Sequence, residues 1–353
     1  METRQQHRQQ RPPRIAGKLI ILVVIAALFA VAAYGLRLYS QARYAADQTY
    51  HGVDGKVATE IQQKKPFAAL LLGVDTGAQG RVDKGHSDTI IIAVVNPAKN
   101  QTTMVSIPRD TAAQMIGTKS FNMQKINAAY NIGGSKMAID TVSSLVNVPI
   151  DYYLTINMGA LQKVVDAVGG IDVTVPFSWT DKNTGGQTFT KGPAHLNGDM
   201  ALAFARMRDE DPQGDYGRQQ RQQQVIKAIL KKAVSVSTLA NFKPLLKTLS
   251  TNIATNLSFD DMTALLQNYR GAAKSIKTDH LQGKNAWVYP GPSAYQIAPT
   301  KEMQRVSNVL RTALGLKTET LTNEETKQNA ANTGFDWNNV TTVQTYTIFT
   351  PAN

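Results

Sequence analysis

Two aspartates sit at the edges of apolar runs. Asp75 closes Leu70-Leu71-Leu72-Gly73-Val74, and Asp88 opens Ser87-Asp88-Thr89-Ile90-Ile91-Ile92. If these runs are neighbouring strands, the two carboxylates meet at one end of a sheet. Paired carboxylates with no cysteine beside them suit a hard divalent cation, Mg²⁺ first and Mn²⁺ second. Taken alone, the same residues read equally well as loop or cap aspartates.

Arginines placed at chain turns add a second kind of chemistry. In Ser106-Ile107-Pro108-Arg109-Asp110-Thr111 the proline cannot continue a ladder, so Arg109 is displayed at a strand end. Arg206 and Arg208 are two apart in Ala205-Arg206-Met207-Arg208; they diverge on a helix and align in an extended segment. Next, Asp215 is placed to cap a helix on which Arg218, Arg221 and Gln222 share a face. A guanidinium fork matches phosphate oxygens, so such a set points to a phosphate-bearing ligand. The plainer reading is surface pairing with Asp209, Glu210, Asp211 and Asp215.

The elements that must position these groups follow from hydrophobic patterning. Leu19–Leu36 is an uncharged apolar run behind Arg4, Arg8, Arg11, Arg14 and Lys18, so it reads as a single transmembrane helix with residues 1–18 as a basic cytoplasmic tail. A cleaved signal ending near Ala30-Val31-Ala32 and a buried core helix are the alternatives. Both membrane readings put the remainder outside the cell. Residues 37–65 read as a polar extracellular stalk, and 66–316 as one catalytic domain of α/β class. Its strands are Phe67–Val74, Thr89–Val95, Thr102–Ile107, Tyr152–Ile156, Ile171–Val175 and Ala286–Tyr289. Helices are expected over Met158–Val168, Asn197–Arg206, Gly217–Val236, Phe242–Ala254, Asp260–Lys277 and Thr300–Leu316. The Thr- and Asn-rich residues 317–353 are expected to be loosely ordered.

The chain has no cysteine, which excludes a disulfide framework and any thiolate site. Its formal charge is +12 over 353 residues, and most of it lies beyond the basic tail, so the body favours anionic partners. Nucleic acid is one such partner, but the anchor with basic inner flank puts the domain on the wrong side of the membrane for it.

The ordered set LLLGVD, SDT, SIPRDT, KINAAYNIGG, VGGIDV, LNGDMALAFARMR and DYGRQQRQ resembles the LytR–CpsA–Psr family of cell-wall ligases, over about residues 66–235. The resemblance implies an α/β/α sandwich with a central mixed sheet and a long apolar tunnel for a polyprenyl chain. It implies transfer of an anionic glycopolymer, of teichoic acid or capsule type, from undecaprenyl diphosphate to the C6 hydroxyl of peptidoglycan N-acetylmuramic acid. By the same resemblance Asp75 and Asp88 match a Mg²⁺-associated pair, while Arg109, Arg206, Arg208, Arg218 and Gln222 match a diphosphate-binding set. One departure stands out: His86 occupies the place two residues before Asp88 where the family commonly carries arginine, and Arg81 is a candidate substitute.

Phe204, Met207, Val225 and Ile229 have the spacing of a tunnel wall and equally that of ordinary core. Phosphoryl transfer asks a protein mainly for positioning and charge neutralisation, which this residue set supplies. Asp75 and Asp88 are the nearest candidates for a general base, although the residues do not decide which. A non-catalytic binder of lipid diphosphate or wall polymer needs only the arginines, and a lipid-diphosphate phosphatase needs the same residues with water as nucleophile.

Overall fold

The computed structural model describes residues 34–37, 39–53, 58–75, 85–182, 185–233, 253–289, 293–339 and 341–351. The chain divides into a small unit, Met1–Tyr44, and a large one, Ala45–Asn353. Described residues of the small unit are helical. The apolar run Leu19–Leu36 falls almost wholly outside the described residues, and among those described no helix is long and apolar enough to cross a membrane.

In the large unit β1 (Phe67–Val74), β2 (Ser87–Asn96) and β3 (Gln101–Ser106) form an antiparallel meander. A small hairpin follows, β4 (Ala112–Gln114) and β5 (Met123–Lys125), then α1 (Ala128–Val146), β6 (Tyr152–Asn157) and α2 (Met158–Ala167). Four short strands come next: β7 (Ile171–Val175), β8 (Trp179–Thr180), β9 (Thr188–Phe189) and β10 (Gly192–Leu196). After α3 (Gly198–Arg206) and α4 (Asp215–Ala233) lie β11 (Ile253–Thr255), α5 (Phe259–Asn268) and β12 (Ser275–His280). The chain closes with β13 (Lys284–Tyr289), β14 (Ser293–Ile297), α6 (Thr300–Leu314), α7 (Glu324–Ala331) and β15 (Gln344–Thr347).

The central sheet has the order β11-β6-β1-β2-β3-β12. It is mixed: β6 runs parallel to β1 and β12 parallel to β3, while the β1–β2, β2–β3 and β11–β6 pairs are antiparallel. Strand alternation divides its side chains between two helical layers. Ala68, Leu70, Leu72, Ile90, Ile92 and Val94 face Val142 and Leu145 of α1 and Met303, Val306 and Leu310 of α6. On the other face Ile91, Ala93, Met104 and Leu71 meet Ile226 and Leu230 of α4, and Phe67 and Tyr152 meet Ala264 of α5. The result is the expected α/β/α sandwich around a mixed sheet.

Three expectations fail, and a fourth falls mostly outside the described residues. Residues 37–65 are not simply a stalk: from Ala45 they join the large unit, with Ala46 and Ile61 buried and the His51 N–H donating to Thr255 O at 2.7 Å. Isolated small apolar residues gave no periodic signal there. The helix expected over 260–277 stops at Asn268, passes through a 3₁₀ turn and becomes β12. Gly271 lies in that turn, where a Cβ would collide with the Asn100 side chain. Of the helix expected over 242–254, residues 242–252 lie outside the described residues, and the end is strand β11.

Nor are residues 317–353 loosely ordered. Leu321 joins the main core, and Phe335 and Tyr346 build a satellite core with Ala286, Val288 and Ile297. Few but large apolar anchors suffice where helix α7 is capped at Asn323 and packs on β4.

Within that segment Glu325 is buried and accepts the Gln114 N–H at 2.8 Å. Burial pushes its carboxyl pKa up. A carboxyl raised on folding contributes stability below its unfolded pKa, about 4.3, and loses it as pH rises through the folded value. Glu325→Gln keeps an acceptor for Gln114 and removes the ionisation cost. Its melting temperature should exceed wild type at pH 8, with the gap closing below pH 4; equal melting at both pH values would refute this reading.

Candidate active site

The site forms where β1, β2 and β3 end together. In the β1–β2 pair Gly73 lies opposite Thr89, and a Cβ on Gly73 would sit 2.8 Å from Thr89 Cβ, so only glycine allows this approach. The register shifts beyond that pair, Val74 faces Ser87, and the Asp75 N–H donates to His86 O at 3.3 Å. Asp75 and Asp88 therefore share one sheet end, as their spacing suggested. At the close of β3 the Ile107 N–H donates to Ile90 O, Pro108 turns the chain, and Arg109 Nη1 reaches Asp88 Oδ1 at 2.9 Å. Asp75, Gly85, His86, Asp88, Arg109, Asp110, Lys125 and Asn127 line a cleft of ≈ 360 Å³. Arg81 lies outside the described residues.

Helix α4 brings a second guanidinium. Arg218 is buried and pairs with Asp215 at 2.5 Å. Burial lowers its pKa and Asp215 opposes that, while Arg109 and Arg208 act on it as like charges and Asp88 as an opposite one. For Arg109 burial also pulls downward, but Asp88, Asp110 and Asp215 outweigh it and hold the pKa above the ordinary value. Arg218 therefore feels the charges of Arg109, Arg208 and Asp88. Both Arg109 and Arg218 keep a buried Nε with no hydrogen-bond partner. Buried donors of this kind are costly unless something accepts from them.

Arg206 ends α3, and Met207 beyond it is extended (φ −53°, ψ 133°) and buried, so Arg206 and Arg208 are exposed on either side of it. Arg208 pairs with Asp209 at 3.1 Å. Among the described residues no hydrogen bond or ion pair ties Arg206 to the cleft. Gln222 is half-buried and turns to Ala205 O at 3.5 Å, so it braces the arginine segment rather than lining the cleft.

Arg221 has the larger structural part. It is the largest fully buried side chain, and its Nε donates to Phe204 O at 2.9 Å, its Nη2 to Met207 O, and its Nη1 to Asp211. The guanidinium also lies 5.6 Å from the Trp179 ring centroid. One residue thus fixes the turn that carries Arg206 and Arg208 against α4. Gly217 makes room for it, since a Cβ there would overlap the Asp211 carboxylate.

Three cleft residues carried no chemistry in the sequence reading. Lys125 Nζ pairs with Asp110 Oδ1 at 2.9 Å and lies 5.4 Å from the Tyr295 ring, and the Asn127 N–H donates to Arg109 O. Their only signal was membership of the SIPRDT and KINAAYNIGG motifs. The proposed tunnel wall resolves differently: Phe204, Met207, Val225 and Ile229 pack with Trp179, Phe189 and Leu196 as core.

The carboxylates present fit a hard cation. Asp75, Asp88 and Asp110 offer oxygen donors, and no group of three or more histidine, cysteine, aspartate or glutamate ligands forms among the described residues. Mg²⁺ needs only one or two protein carboxylates, with water and phosphate completing its shell.

Together these features define an α/β/α protein whose sheet end gathers carboxylates and guanidinium groups around one polar cleft. The chain belongs to the LytR–CpsA–Psr family: residues 33–312 match the LytR_cpsA_psr family. It is 42% identical over 301 residues to a polyisoprenyl-teichoic acid–peptidoglycan teichoic acid transferase, TagU, of Enterococcus faecalis, covering 84% of this chain and 97% of that one. The crystal structure of Bacillus subtilis TagU superposes with a TM-score of 0.57 at 38% identity, over 72% of this chain and 98% of that one. TagT bound to LIIa-WTA gives 0.61 at 29% identity, over 75% and 95%.

Arg221→Met should cost about 3–5 kcal/mol, because it leaves the Asp211 carboxylate and two buried carbonyls without a donor. Arg206→Ala, at an exposed position, should stay within about 0.5 kcal/mol of wild type. Urea midpoints compare the two, and similar small shifts for both would remove Arg221 from its anchoring role.

Proposed function

We propose that this chain is a phosphotransferase that moves an anionic glycopolymer, of teichoic acid type, from undecaprenyl diphosphate to the C6 hydroxyl of N-acetylmuramic acid in peptidoglycan. The observation that carries it is the cleft where Asp75 and Asp88 meet Arg109, with the Arg218 guanidinium under the electrostatic influence of Arg109 and Asp88, in a chain whose relatives are named teichoic acid transferases. The domain would work on the outer side of the cell membrane, held there by the helix read over Leu19–Leu36.

In this reading the diphosphate lies across the cleft, with Arg109 and Arg218 donating to its oxygens. Their unpartnered Nε groups then find acceptors. Arg208, and Arg206 beside it, would meet the outer phosphate from the exposed turn that Arg221 holds. Mg²⁺, held by Asp75 and Asp88, would neutralise charge on the diphosphate oxygens when bound. The acceptor hydroxyl attacks the phosphorus on the polymer side. A phosphodiester forms, the bond to the bridging oxygen breaks, and the lipid monophosphate leaves. Asp75 or Asp88 would take the hydroxyl proton. The lipid tail needs an apolar lining, which Leu71, Ile226 and Leu230, half-buried between the sheet and α4, would supply.

Arg109→Ala and Asp88→Ala should each lower transfer of polymer from a synthetic lipid diphosphate to peptidoglycan by roughly 10²–10³-fold, the scale of losing one preorganised charge contact. Chelation should abolish transfer and added Mg²⁺ restore it. Full transfer by the Asp88 variant, or by wild type under chelation, would overturn the assignment.

A further inference from the structure

Strand β13 alternates strictly between two environments. Ala286 and Val288 point into the satellite core with Ile297, Phe335 and Tyr346, while Asn285, Trp287 and Tyr289 point outward. Trp287 and Tyr289 are 46% and 45% exposed. Being two residues apart on a strand, they stand about 7 Å from one another on the same face.

Their cross-strand neighbours on that face are small or neutral polar: Ala294 and Thr345 beside Trp287, Thr347 beside Tyr289, and Gln296 beside Asn285. The face is thus a flat aromatic surface edged by amides and hydroxyls, with no lysine or arginine in these pairs. Single exposed aromatics need no explanation, but two in register on a sheet are an unpartnered surface.

This surface is continuous with the cleft. The Gln296 N–H donates to Asp110 O at 2.9 Å, Gln296 bridges to Thr111, and its Oε1 accepts from the Tyr216 hydroxyl at 3.2 Å. Its Nε2 in turn donates to Asn285 Oδ1. Asp110 lines the cleft, and Tyr216 directly follows Asp215, the partner of Arg218. A track therefore runs from the cleft wall through Gln296 and Asn285 to Trp287 and Tyr289, about 13 Å along β13.

We infer that this outer face of the β14-β13-β15 sheet binds the peptidoglycan glycan strand and guides its hydroxyl toward the cleft. Pyranose rings present apolar C–H faces that stack on aromatic rings, while their hydroxyls and N-acetyl groups exchange hydrogen bonds with amides and threonines. A protein partner would favour a wider apolar patch, and an anionic membrane surface would favour basic residues beside the aromatics. The inference rests on the transferase reading for the identity of the glycan, but not for the existence of the surface.

The test uses the full chain with Mg²⁺ and insoluble peptidoglycan stripped of wall polymer. Trp287→Ala/Tyr289→Ala should weaken co-sedimentation about tenfold and raise the acceptor KM to match, while affinity for the lipid-diphosphate donor holds. Trp287→Phe should recover most of the loss, and melting temperatures should stay level because both side chains are exposed. Unaltered sedimentation and acceptor KM in the double variant would overturn the inference. So would a loss confined to binding of soluble teichoic acid or of anionic phosphatidylglycerol vesicles. Wild-type protein that sediments in a Trp287-dependent way but transfers nothing would sink the transferase reading and leave the glycan surface standing.

Discussion

Guanidinium groups repel one another, so gathering them in a partly buried place requires carboxylates interleaved among them. Arg109 is held by Asp88 and Asp110, Arg218 by Asp215, and Arg221 by Asp211. Each pair has a different consequence. Arg221 is fully satisfied and immobile, and its pairing is structural. Arg109 and Arg218 are only partly satisfied, each retaining a buried Nε without an acceptor. In a protein interior that is an unfavourable state unless a ligand completes it, and a diphosphate has the oxygens to do so.

Holding those pairs in register falls to the sheet. Asp75, Asp88 and Arg109 come from three adjacent strands, whose positions are fixed by the β1–β2–β3 ladder and by residues too buried to shift. Arg218 comes from α4, which is clamped on the sheet by Ile226 and Leu230 and near its middle by Gln223, whose amide donates to Ser106 Oγ at 2.8 Å and Asp279 O at 2.7 Å. Ser106 lies three residues before Arg109. The helix and the strand end that supply the two guanidinium groups are therefore bolted together by a buried glutamine, so their spacing does not depend on loop conformation.

Much of this was legible beforehand, for identifiable reasons. Strands β1, β2 and β3 are short apolar runs ended by Pro, Asn or Asp, a strong local signal, and their antiparallel order put Asp75 beside Asp88. The i and i+2 spacing of Arg206 and Arg208 left helix and extended segment open; Arg206 ends the helix and Met207 beyond it is extended. Helix α1 escaped notice because Gly133 and Gly134 interrupt it with non-helical backbone, Gly134 at φ +66°, which blurs the 3.6-residue period. Arg221 read as one more arginine on a charged helix face; only the fold shows it as the largest fully buried side chain among the described residues. Lys125 and Gln296 are invisible as site residues in the chain, since a three-residue strand and a hairpin edge carry no periodicity. The C-terminal segment shows the same limit. Its polar composition suggested disorder, yet Leu321, Phe335 and Tyr346 are enough to tie it down.

The charges on the cleft wall also bear on how a cation and a diphosphate would enter. Asp75, Asp88 and Asp110 face Arg109 and Lys125, so the wall itself carries more formal negative charge than positive. Such a wall does not attract a diphosphate by long-range charge, despite the basic body of the chain. A divalent cation reverses the local sign, and a diphosphate reverses it back, so each improves the site for the other. By linkage the two should bind with positive coupling, cation affinity rising in the presence of lipid diphosphate by the same factor as the converse. Asp88 is the pivot of that exchange, because it already neutralises Arg109 at 2.9 Å and would share its charge with the cation. A phosphate oxygen at Arg109 would compensate the guanidinium if Asp88 were shared with a bound cation.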